Sequence, residues 1–115
     1  MTNQYGLEVG DSFELTNGYG IHLHIIVAAE SDADNSQIII VYVSSSNTKY
    51  KDLTTIIQPG EHPYITRVDA ESWVRYQNTR ICSRSDIASE ISFYYGKVSP
   101  DLLTRIQRGL LASGN

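Results

Sequence analysis

The run Gln37-Ile38-Ile39-Ile40-Val41-Tyr42-Val43-Ser44 decides the fold. Its β-branched side chains fit a pleated surface and crowd a helix, so it reads as a central strand. Upstream lies an acidic, small-residue turn over 30–36, and before that the apolar segment Ile21–Ala29, a second strand. Thr16-Asn17-Gly18-Tyr19-Gly20 precedes it, with Asn-Gly and glycines that tolerate positive φ; this turn pairs Ile21–Ala29 back onto Ser12–Leu15, where Phe13 and Leu15 alternate with Ser12 and Glu14. The three strands form a meander.

Downstream, 44–51 is a polar loop, Leu53–Ile57 a short strand, and Gln58-Pro59-Gly60-Glu61-His62-Pro63 a stiff connection with no regular structure. Ser72–Ile81 reads as a long strand, with Ser72, Val74, Tyr76, Asn78 and Arg80 on one face, unless a bulge near Asn78 rearranges them. Ser83–Ile91 is weakly helical with Ser85 as N-cap and Asp86 in the first turn. The last element is a helix over 99–112: Ser99 is an N-cap type, Pro100 suits a first helical position, and Leu102, Ile106 and Leu110 share a stripe. That stripe needs a sheet to cover. The expected architecture is mainly β with a C-terminal α-helix, a small SH3-like barrel or curled sheet formed as a single domain over residues 1–115.

With 41% hydrophobic and 19% charged residues the composition is that of an ordinary globular chain, and no apolar run is long enough to cross a bilayer. The single cysteine, Cys82, has no partner for an internal disulfide and reads as a buried packer; with no signal-peptide pattern at the start, a cytoplasmic protein is expected. The net charge of −4 argues against coating nucleic acid by bulk attraction. The charge is nevertheless segregated. No Lys or Arg precedes Lys49, and six acids give the first 48 residues −6, while nine cations against seven acids give the remainder +2. Arg67, Arg75, Arg80 and Arg84 lie close enough in sequence to build a local anion site or, equally, to be scattered solvated side chains.

His22 and His24 project from one face of their strand, as a pocket rim, a ligand-binding or catalytic pair, or half of a metal site. His62 is held by the two prolines of its loop. An arginine on the 72–81 strand presents parallel N–H donors to a phosphate and can stabilise a phosphorane as charge builds.

Val9-Gly10-Asp11-Ser12-Phe13, His24-Ile25-Ile26-Val27, Ile39–Ser44, Ser72-Trp73-Val74-Arg75 and Gly96-Lys97-Val98-Ser99-Pro100 together resemble the PemK/MazF toxin family in order and spacing over nearly the whole chain. The resemblance implies an SH3-like barrel, a homodimer, cofactor-free and metal-independent RNA cleavage through the 2′-hydroxyl, and inhibition by a cognate antitoxin protein. It departs from the family in lacking the Gly-x-Glu-x-x-x-Arg-Pro stretch after the first hairpin, and in carrying Gln77 where relatives place an acid two residues beyond the strand arginine. The roles implied are His24 or His62 as the base, Arg80 or Arg75 at the phosphorane, Tyr76 orienting the scissile group, and Ser72, His22 and Arg67 as substrate contacts. Two other classes remain open: a catalytically silent protein- or RNA-binding relative, and a cupin-like metal-binding sandwich using His22, His24 and His62.

Overall fold

A computed structural model describes residues 6–17, 20–31, 33, 35–45, 51–65 and 71–113. Its elements are β1 (Asp11–Asn17), β2 (Gly20–Ala29), β3 (Gln37–Ser44), β4 (Ile56–Ile57), β5 (Ser72–Val74), a 3-10 turn (Tyr76–Asn78), β6 (Arg80–Ser83), α1 (Arg84–Glu90), β7 (Ile91–Lys97) and α2 (Pro100–Ala112). The strands form one antiparallel sheet in the order β4-β5-β3-β2-β1-β7, with β6 also on β3. The protein is mainly β with a C-terminal helix, as the sequence predicts; among the described residues the sheet has two ends and does not close into a barrel.

The central role of 37–44 follows from its composition. β3 pairs with β2 along one edge, and on the other it takes β6 at its start and β5 at its end. Its side chains divide by parity. Val41 and Val43 join Leu23, Ile25, Val27, Val74 and Tyr76 in a core covered by Leu102 and Ile106 of α2. Ile38 and Ile40 join Phe13, Leu15 and Ile26 in a second core that receives Ile87 of α1. Each helix thus covers one face of the sheet. Burial of each large aliphatic side chain contributes about 1.5–3 kcal/mol, so both faces repay ordering the strands between them.

Ser99 caps α2 by accepting the Leu102 N–H at 3.2 Å, with Pro100 following it. Four expectations are corrected. The 72–81 segment is not one strand: the 3-10 turn splits it into β5 and β6, which share the same edge of β3. The strand expected over 53–57 is confined to Ile56 and Ile57. The N-cap of α1 is Ser83, whose hydroxyl accepts from the Asp86 N–H at 3.1 Å, rather than Ser85. Finally, 91–97 is a strand that the pattern does not announce.

Arg84 is also not a surface cation. It is buried, and its Nη1 donates to the carbonyls of Ser31 and Ala33 and to the Ser36 hydroxyl at 2.6, 2.9 and 2.7 Å. A buried guanidinium is costly unless its donors are satisfied; here Nη1 binds the β2–β3 turn to the start of α1, while the buried Nε finds no partner among the described residues. No described helix is long and apolar enough to cross a membrane.

Candidate functional site

The alternation of β2 sends His22 and His24 to the face of Phe13, Leu15 and Ile40, beyond the part that α1 covers. Tyr42 stands directly opposite His24 on β3. Its ring lies 4.6 Å from that of His22 and 5.4 Å, edge-on, from that of His24. The Tyr42 hydroxyl is 2.9 Å from His22 Nδ1 and 3.1 Å from Nε2. Burial raises the Tyr42 pKa, an effect that the nearby Arg75 charge opposes. Tyr42 is therefore a neutral phenol at neutral pH, available to share a proton with His22.

His24 is largely buried, and its Nδ1 lies 3.1 Å from the His22 carbonyl oxygen. Nδ1 must therefore carry the proton, leaving the lone pair on Nε2. Burial lowers its pKa to about 4; the hydrogen bond to His22 opposes that shift, and the charges of His22 and Arg80 reinforce it. His24 is neutral at physiological pH and too weak a base to be the best proton acceptor there.

Two arginines flank this trio. The Arg75 N–H donates to the Tyr42 carbonyl at 2.8 Å, and its guanidinium lies 5.8 Å from the centre of the Trp73 ring. With the Gln77 amide oxygen turned toward it, Arg75 donates through Nε at 3.0 Å and Nη2 at 2.7 Å. The amide thus holds the fork as a carboxylate does, without cancelling its charge. Arg80 lies opposite Ile40, is exposed, and makes an ion pair of 3.3 Å with Glu90. At that exposure the pair contributes little, and Arg80 can turn to another anion.

The remaining sequence candidates lie elsewhere. Tyr76 is fully buried in the α2-side core, where its hydroxyl donates to the Ile106 carbonyl at 2.8 Å and lies 2.7 Å from Thr55 Oγ1. Its expected role at a scissile group is corrected: it lies with Val74 in that core, the side on which strand alternation places it, and not beside His22 and His24. Ser72 is likewise buried, paired with Ile57. Arg67 lies outside the described residues.

His62 forms a serine–histidine pair, with Nε2 2.8 Å from Ser12 Oγ. The neighbouring bonds fix its meaning. Nδ1 accepts the Tyr64 N–H at 3.0 Å, so Nε2 bears the proton and donates to Ser12, whose own hydroxyl donates to the Gly96 carbonyl at 2.7 Å. Burial keeps the imidazole pKa low. With both nitrogens engaged and the residue buried, His62 pins its loop to β1 and β7, which corrects its assignment as a base. Ser12 faces the α2 side, whereas the neighbouring Phe13 faces the α1 side with His24, so His62 does not meet His22 and His24 as the cupin-like reading requires. Among the described residues no three His, Cys, Asp or Glu side chains group as metal ligands.

The structure thus brings together His22, His24, Arg75 and Arg80 and adds Tyr42, which the sequence reading passed over as one more strand residue. Its parity with Ile38 and Ile40 was visible; its position opposite His24 depends on register and was not. No protein-family model matches the chain, and no curated protein matches it.

Proposed function

We propose that this protein binds single-stranded RNA at the His22–His24–Tyr42–Arg75–Arg80 face and cleaves it without a metal through the 2′-hydroxyl. The observation that carries the reading is the contact of His22 with the Tyr42 hydroxyl, beside Arg75, whose charge acts on Tyr42 and whose fork a neutral amide orients, and near Arg80, whose charge acts on His24. Arg75 holds the reacting phosphate and opposes the charge that grows on its oxygens, while Arg80 holds the neighbouring phosphate. His22 takes the 2′-hydroxyl proton, the 2′-oxygen bonds to phosphorus, and the 5′-oxygen leaves and is protonated by solvent, giving a 2′,3′-cyclic phosphate. Tyr42 fixes the His22 ring, and His24, neutral and donating to the His22 carbonyl, stiffens the strand beneath it. The wider reading, a cytoplasmic homodimeric toxin restrained by a cognate antitoxin, rests on the sequence resemblance.

The test is incubation of mixed RNAs with wild-type protein, His22→Ala and Arg75→Ala in the presence of a chelator. Cyclic-phosphate ends made by the wild type and lost in both variants support the proposal; no cleavage, or equal cleavage by all three, refutes it. A binding module without nuclease activity is the second reading, favoured by the low basicity of His24 and the Arg80–Glu90 pair. It is distinguished by RNA affinity that falls steeply with salt while the RNA stays intact.

A further inference from the structure

On the opposite, α2-side face, at the β7 end of the sheet, three aromatic rings form a corner around one carboxylate. Tyr95 is the centre: its ring lies 4.7 Å from Phe93 at 61° and 5.8 Å from Tyr64 at 68°. Phe93 is 55% exposed and Tyr64 39%, so the cluster opens outward from the core on which Tyr95 packs. Inside it, the Tyr95 hydroxyl donates to Glu14 Oε1. The carboxylate is felt by both phenols: burial and then Glu14 raise the pKa of Tyr95 and of Tyr64. Both tyrosines are held neutral with their ring faces electron-rich. Among the described residues no cation stands against these rings; the one described cation–π contact, Arg75 on Trp73, is on the other face.

The corner is stiff. His62 packs edge-on against Tyr95 at 5.0 Å and is itself fixed through Ser12 to the Gly96 carbonyl. Glu14 lies opposite Phe93 across the β1–β7 ladder. The corner also adjoins a free sheet edge, because β7 is last in the strand order and among the described residues pairs only with β1.

Near-perpendicular rings around a carboxylate suit a cation, because ring faces and carboxylate both attract positive charge while the rings shed water. They repel a nucleic-acid backbone for the same reason. A strand that ends the sheet among the described residues suits an extended peptide, whose main chain continues the ladder while alternate side chains enter pockets beside it. We infer that the Tyr64–Phe93–Tyr95–Glu14 corner is a docking site for a protein partner, which lays an extended segment along β7 and places a lysine or arginine side chain against Glu14 between the rings. This site shares no residue with the RNA reading, although Tyr64 stands near enough to Tyr42 for its charge to be felt there.

The experiment is an NMR titration of the full chain with capped eight-residue peptides of alternating Thr and Val carrying one central residue, followed on the ring protons of Phe93, Tyr64 and Tyr95. The lysine peptide is expected to saturate, and its norleucine counterpart, equal in length but uncharged, to bind at least tenfold more weakly. Phe93→Ala and Glu14→Gln are each expected to weaken the lysine peptide at least fivefold; the first removes an exposed ring, and the second keeps an acceptor for Tyr95, so both variants should retain the wild-type amide spectrum elsewhere. Equal binding of the two peptides, or variants that bind as the wild type does, overturns the inference. Saturation by tetramethylammonium with no response to the lysine peptide also overturns it, by assigning the corner to a small cation.

Discussion

Acidification is expected to destabilise the protein through His24. In the folded state this imidazole has a pKa of about 4, against 6.5 for an unperturbed histidine. The unfolded chain therefore takes up the proton first as pH falls. Stability from this group is intact above about pH 6.5, declines between 6.5 and 4, and is constant below that, where both states are protonated. A shift of this size corresponds to about 3 kcal/mol at 1.36 kcal/mol per pH unit. That is a large part of the 5–15 kcal/mol typical of a domain. Urea unfolding measured from pH 7.5 to pH 4 on the wild type and on His24→Asn isolates the effect. The Asn amide keeps a donor for the His22 carbonyl but does not titrate, and the carboxylates and His62 contribute to both proteins alike. The difference in unfolding free energy between the two proteins should shrink by about 3 kcal/mol across the window. Parallel curves would refute the burial argument, and with it the exclusion of His24 as the base.

Three further outcomes follow from the geometry. A Cβ at Gly109 would lie 2.1 Å from the Tyr76 hydroxyl and 2.3 Å from Thr55 Oγ1; Gly109→Ala should therefore lower stability by about 1–3 kcal/mol, as overpacking does, despite alanine's better helix propensity, and a thermal melt reads the loss. Gln77→Glu places a charge on the Arg75 fork, and should weaken RNA binding severalfold at low salt and reduce the salt slope by about one, with melting temperature unchanged. Ser12→Ala leaves the His62 Nε2–H and the Gly96 carbonyl without their partner, at a cost of about 1–3 kcal/mol in denaturant unfolding, while RNA cleavage per folded molecule stays at the wild-type level.

The sequence made the β1–β3 meander and α2 readable because each carries a local signal: alternation at Phe13 and Leu15, β-branching at 38–41, and the Ser99–Pro100 cap. β7 was missed because it serves both cores. Tyr94 packs on the α1 side and Tyr95 on the α2 side, while Phe93 is exposed, so 93–95 show no one-sided alternation. The break at 76–78 carries no Gly or Pro, and only the pairing of β5 and β6 with β3 reveals it. Of the candidate site, the shared face of His22 and His24 was readable from period two. The loss of Tyr76 and His62, and the gain of Tyr42, came from contacts between residues 20 to 50 apart in sequence.

On the proposed RNA reading, the broken ribbon along β3 would also serve as a gauge. Arg75 is anchored by its N–H to residue 42 of β3 and Arg80 is paired with residue 40, so the two attachment points are about 7 Å apart, the rise of two strand residues. That interval suits successive phosphates of a stretched strand better than two oxygens of a single phosphate. Lengthening the 76–78 turn by one residue would alter this pitch without removing either positive charge, so the number of nucleotides spanned would depend on a backbone loop that touches no base.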